Sequence, residues 1–459
     1  AKFNLHLSSG SSMSSNLSEL FFIGAILSIA LGFFSLKLVR KNEKLKWNEE
    51  IAGHLVALMF ITKGIHYAAV GYFNESLSGD TLVWQFWAQL LTICDYAFGA
   101  SIVMISMVYP VPFLRTKNQL KIAASFVVVF WLLIPLFLDL SGNPWTVFHS
   151  MGALYVAAGL AWGTMYINFR LMNRTERNKS SLNIAIVCGL FLTLQMGHIW
   201  MMWPGMLLQA DYFYFIDLGI ATPGIDITTP MFDYFWLASY TFCIAVGFMI
   251  LAVEIYQAIN GESSVMLYIM SFYFLIGAIG YAVLNASTVT VFGIGDSSQT
   301  VQELWKTFTT QMHFTILRSL IAMYILLKYG FFDINDETKP LAKLMAIILI
   351  VVATSATLEL VQSVIPINQM LTAALLGVII AFGIGWEEKS FDNLVNNTAD
   401  IRDYVDKKWF PSIELPDGLL KKIDYSYLIF VIIAVLVSLI VWKTDGILNV
   451  VLERTGGAN

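Results

Sequence analysis

The chain has 459 residues, of which 57% are hydrophobic and 13% charged, with a mean hydropathy of +0.69 and a formal net charge of −5. Soluble domains carry about 25% charged residues, so this composition excludes a soluble globular enzyme, a disordered chain and a nucleic-acid-binding module. Its three cysteines, Cys94, Cys188 and Cys243, lie inside apolar runs and make neither a disulfide framework nor a CxxC metal site.

Residues 1–19 read as a polar, Ser-rich N-terminal extension. After it, each crossing of a bilayer core about 30 Å thick requires roughly 20 apolar residues in a helix. Twelve runs meet that measure: 20–40, 52–73, 83–109, 120–138, 145–169, 181–203, 232–256, 264–285, 306–329, 341–364, 369–386 and 426–442. The first is followed by basic residues and lacks a small-residue cleavage site, so it reads as a span and not as a signal peptide. Lipid offers backbone amides no water, which makes each span helical. Barrel strands would alternate polar and apolar residues, and these runs do not. The predicted fold class is therefore all-α, a polytopic transmembrane helix bundle of about twelve spans. Residues 20–386 form the main bundle of about eleven helices, 387–425 a cytoplasmic segment, and 426–459 a final helix with an outer tail.

Charge placement orients the threading. With the N-terminus outside, the inner loops are 36–50, 110–121, 170–180, 257–263, 328–343 and 387–425, and they hold 21 of the 27 Lys and Arg residues. Outer segments hold four: Lys2, Lys306, Lys443 and Arg454. Such an asymmetry is what the positive-inside rule demands, and an even number of spans returns both termini to the outside. Localisation in a membrane follows, with a prokaryotic cytoplasmic membrane expected.

Three longer connections depart from the short-loop pattern. Residues 204–231 are aromatic and acidic and read as a cap on the outer surface, while 286–305 form a second outer loop. Within the inner segment, Phe391, Leu394, Val395, Ile401, Tyr404 and Val405 recur at helical spacing among charged residues over 387–407. That pattern predicts an amphipathic helix at the inner surface or against the bundle.

Ionisable side chains inside spans are expensive and so are functional candidates. Lys63 and His66 lie in span two and Asp95 in span three, at similar depths on neighbouring helices. A Lys63–Asp95 or His66–Asp95 pair could relay protons or cations, hold a ligand, or simply fix how two helices dock. In the outer half lie His198 in span six, His313 and Arg318 in span nine, and Glu359 in span ten. Arg318 is within reach of Glu359 or of a backbone carbonyl, and His313 of Glu359. These residues admit a b-type haem held by His66 with His198 or His313, a metal ion, or plain helix–helix hydrogen bonding. No HExxH pair and no GxxxxGK[ST] or GxGxxG phosphate cradle occurs, so no cofactor, nucleotide site or enzymatic activity is predicted.

Two strings carry a family resemblance. SMVYPVPFL (106–114) closes span three and LLKYGFFDIN (326–335) closes span nine. Both are similar to the inner helix ends of the seven-helix membrane sensor region of prokaryotic histidine kinases, with spans three to nine as the seven helices. The resemblance implies a sensor that passes a state change to a partner. No dimerisation helix or ATP-binding module follows, so kinase activity does not carry over.

Three functional classes stay open at this point. One is a non-enzymatic sensor or assembly subunit whose partners are other membrane or cytoplasmic proteins, with 387–407 as its output. Another is a secondary transporter or ion-conducting protein with an intramembrane Lys/His/Asp/Glu relay. The third is a haem or metal redox protein.

Overall fold

The computed structural model describes residues 11–41, 45–75, 81–129, 145–176, 179–208, 234–285, 313–328, 338–348, 401 and 405. Ten α-helices are named in chain order: α1 (Ser11–Lys41), α2 (Trp47–Glu75), α3 (Thr81–Val108), α4 (Lys117–Val128), α5 (Trp145–Glu176), α6 (Lys179–Met201), α7 (Trp203–Leu208), α8 (Tyr234–Ile259), α9 (Val265–Asn285) and α10 (Arg318–Lys328). A π-helical turn over His313–Leu317 runs directly into α10, and residues 339–348 are helical as well. Among the described residues there is no strand.

Among the described residues, five stretches are long and apolar enough to cross a membrane: Phe21–Lys41, Trp47–Ala69, Lys179–Met201, Ala238–Ile259 and Val265–Ala282. They fall on predicted spans one, two, six, seven and eight. α3 and α5, 28 and 32 residues long, cover most of predicted spans three and five. The outward faces of these helices are apolar: Ile26, Phe33, Leu160, Phe272, Leu275 and Ile279 are all exposed. Water would not tolerate such a surface, and lipid would. The protein is a helical membrane protein. Predicted spans eleven and twelve, most of span ten, the loop 204–231 beyond Leu208, the loop 286–305 and nearly all of 387–425 lie outside the described residues; the start of the first of these loops is helical, as α7.

The bundle is organised around α6. From Ile184 to Met201 every residue is buried, with no polar face directed at solvent. A helix without a wet face has to be enclosed by others, and α6 touches α3, α5, α8, α9 and α10. The α1–α2 hairpin completes the enclosure, meeting α3 on one flank and the π turn and α10 on the other. That hairpin packs backbone to backbone. A Cβ on Gly32 would lie 2.9 Å from the Ala57 carbonyl oxygen, and one on Gly64 would lie 2.9 Å from that of Ala25. Small residues allow such an approach where lipid supplies no hydrophobic drive between helices.

Side-chain hydrogen bonds tie helix ends together. Asn48 at the start of α2 donates to the Val108 carbonyl at the end of α3, over 3.2 Å. The start of α4 is capped locally: Thr116 Oγ1 accepts from the Gln119 amide at 3.1 Å, while Gln119 Oε1 accepts from the amides of Arg115 and Thr116. This reciprocal arrangement satisfies donors that a helix start otherwise leaves open. Ile401 and Val405, one helical turn apart, are buried in the same apolar core as the bundle. The part of the predicted amphipathic segment that is described thus sits against the bundle.

Candidate functional site

Span two presents Lys63, His66 and Tyr67 within little more than one helical turn, so all three project into one sector of the bundle. Lys63 forms a side-chain ion pair with Asp95 of α3, the two being 5% and 19% exposed. Its Nζ also lies over two aromatic rings, 5.4 Å from the Tyr67 centroid and 5.2 Å from that of Phe98. The His66 ring stands edge-on to Tyr67 at 5.8 Å. The predicted Lys63–Asp95 pair is formed.

Arg318 opens α10 and is 3% exposed. Its Nε donates to the Leu194 carbonyl of α6 over 2.7 Å, and its Cζ lies 4.7 Å above the Phe98 ring. Nη1 reaches within 3.5 Å of the Tyr67 hydroxyl. The backbone-carbonyl alternative predicted for Arg318 is therefore realised. Phe98 and Tyr67 each lie close to both the guanidinium and the lysine, so two cations share one pair of aromatic rings, an attractive geometry for each.

The two histidines of the outer half also meet. The His198 and His313 ring centroids are 5.7 Å apart, and both residues are buried. His313 Nδ1 lies 2.9 Å from the Tyr273 hydroxyl of α9, while His198 Nε2 lies 3.5 Å from that of Tyr155 in α5. One ring nitrogen of each is thus directed at a tyrosine hydroxyl. Glycine at 197 makes this close packing feasible: a Cβ there would fall 2.5 Å from His313 Cε1. His66 lies against Tyr67. Glu359 lies outside the described residues.

Between the ion pair and the histidines is a small cavity lined by Asp95, Phe98, Gly99, Leu154, Tyr155, Gln195 and Arg318. It links α3, α5, α6 and α10 at the centre of the bundle. Gln195 precedes His198 by three positions, so the two share a face of α6. No group of three His, Cys, Asp or Glu side chains suited to a metal occurs among the described residues.

A second polar cluster, at the opposite ends of α5 and α8 from the histidines, escapes sequence reasoning altogether. Glu254 of α8 is fully buried and accepts from Arg170 Nε at 2.7 Å and Arg170 Nη2 at 3.2 Å. Ser264 Oγ donates to its second oxygen at 2.7 Å, and the Tyr166 hydroxyl donates to its first. Arg170 Nη2 donates further to the Glu262 carbonyl at 2.7 Å. The available signal was a carboxylate, Glu254, near the inner end of the apolar run of span seven. Arg170 was disguised, because at the edge of the basic loop 170–180 it reads as one more inner charge.

Compared with protein-family models, curated proteins and solved structures, the chain matches none.

Proposed function

We propose that this chain is a twelve-span transporter or ion-conducting protein of a prokaryotic cytoplasmic membrane, with both termini on the outer face. Its relay comprises Lys63, His66, Asp95, His198, His313 and Arg318, joined by Glu359. One observation carries the reading: Asp95, Tyr155, Gln195 and Arg318, from four helices, line one cavity inside the bundle, with Lys63 paired to Asp95 and His198 against Tyr155 at its edge. Buried charges are costly in lipid, and such convergence marks an ion or substrate path more often than it marks a docking device. The threading draws support from contacts between helix ends assigned to the same side. Asn48 meets Val108, and Arg170 meets Glu254 and Glu262, all at predicted inner ends.

The test is reconstitution. Purified full-length protein in sealed vesicles should dissipate an imposed gradient of protons, sodium or potassium, and D95N should suppress that flux. Vesicles that stay tight to all three ions would remove the proposal.

A second reading has its own support. Ile401 and Val405 are 5% and 4% exposed within the bundle core, as an output helix coupled to a sensor's membrane helices would be. Under the resemblance to kinase sensor regions, 387–407 would signal to a cytoplasmic or membrane partner. Its expected signature is a change in protease or thiol accessibility around Ile401 when an external stimulus is applied, with no ion flux.

A further inference from the structure

The cavity beside the ion pair has polar walls from Asp95, Gln195, Arg318 and Tyr155, closed by apolar Phe98 and Leu154. Its free space accommodates about one water molecule. Gln195 is 4% exposed, and its Oε1 accepts no hydrogen bond among the described residues. An amide oxygen without a donor, in a low-dielectric interior, calls for an occupant that can donate.

The walls discriminate between occupants by charge. A guanidinium in the lining repels a metal cation, which in addition needs a shell of several oxygens. The Asp95 carboxylate in the same lining repels an anion. A water molecule suits both: it donates to Gln195 Oε1 and Asp95, and it accepts from Arg318, which leaves the Tyr155 hydroxyl hydrogen for His198.

We propose that Gln195 and Asp95 hold a water molecule in this cavity, and that the ion moved along the relay is the proton, passed from Asp95 through that water and Tyr155 to His198. The inference rests on the reading above that the chain conducts an ion. A proton arriving at Asp95 loosens the carboxyl from Lys63. The acid then donates that proton to the water, which hands one of its own hydrogens to the Tyr155 oxygen. Tyr155 gives its hydrogen to His198 Nε2 across the 3.5 Å contact. Every O–H bond broken is matched by an O–H or N–H bond formed. Water and Tyr155 end as they began, Asp95 is again a carboxylate facing Lys63, and His198 holds the proton as an imidazolium.

The experiment uses full-length protein in sealed vesicles, with proton, sodium and potassium gradients imposed one at a time. Wild type should pass protons and stay tight to both alkali ions. Q195M keeps the side-chain length and removes the acceptor, and Y155F removes the hydroxyl; each should lower proton flux roughly tenfold or more, the scale of a lost proton-transfer partner. Sodium or potassium flux without proton flux would keep the transport reading and overturn this one. Unchanged proton flux in folded Q195M would overturn the water site alone, and no flux of any ion would end both. Should Q195M fail to fold, wild type still decides: infrared difference spectra between protonated and ionised Asp95 should contain a water O–H band that shifts in oxygen-18 water. A spectrum with no such band rejects the proposal.

Discussion

The two buried polar clusters of this bundle use the same chemistry in opposite ways. At one end Glu254 receives four donated hydrogen bonds from Arg170, Tyr166 and Ser264, and the guanidinium uses its remaining reach on the Glu262 carbonyl. This knot is saturated, so nothing in it can let go without leaving a buried charge. Around Asp95 the contacts are strung out instead: an ion pair, cations over rings, contacts of 3.5 Å, and a cavity between them. Saturation makes a clamp, whereas loose, serial contact around a cavity leaves room for protons or bonds to be exchanged. The difference, and not the mere presence of buried charge, separates scaffold from site.

The largest expected effect falls on the clamp. E254A strands the Arg170 guanidinium and should cost about 3–5 kcal/mol of stability, read as earlier thermal aggregation in detergent, with flux per folded molecule preserved. Comparable loss of flux and of stability would erase the distinction between the two clusters. G197A comes next, since its Cβ must push against His313 at 2.5 Å; overpacking of this kind costs about 1–3 kcal/mol, and here flux should fall with the melting temperature. D95N should cost no more than about 1–2 kcal/mol, because an amide oxygen still accepts from Lys63, while flux drops roughly tenfold or more. A variant with normal flux would assign the Lys63–Asp95 pair to helix docking. Smallest of all should be the stability change in R170M/E254L, within about 1 kcal/mol of wild type, since replacing both halves of a buried pair by apolar groups is often neutral; a loss as large as that of E254A would mean that the knot does more than cancel its own charges. Thiol labelling of R174C and K407C from one side of intact vesicles checks the threading beneath the comparison, and both should label from the same face.

How much was legible in advance varies by residue. Hydropathy located the described spans because a bilayer-length apolar run has few alternative fates. The Lys63–Asp95 pair was legible too, since a short connection sets the depths of spans two and three against each other. Arg318 was seen as a candidate, but its partner, the Leu194 carbonyl, was not, as backbone groups carry no sequence signal. Gln195 and Tyr155 passed unremarked because neutral polar residues within a span are common, and only the cavity between them gives them a role. Glu254 and Arg170 were missed for a different reason: their pairing needs α5 and α8 to be neighbours, a relation that sequence order does not state.

Composition and hydrophobic length by themselves determined that this chain lives in a membrane as helices, because the transfer of apolar side chains from water to lipid is additive along the chain and indifferent to partners. Tertiary structure alone decided that α6 is the enclosed axis, that His198 meets His313, and that Asp95, Gln195, Tyr155 and Arg318 face one cavity. Those relations depend on which helices adjoin and how each is rotated about its axis. In a medium as apolar as the side chains themselves, rotation and adjacency are set by steric fit at residues such as Gly32, Gly64 and Gly197 and by a few directional hydrogen bonds, which act only once the helices are side by side.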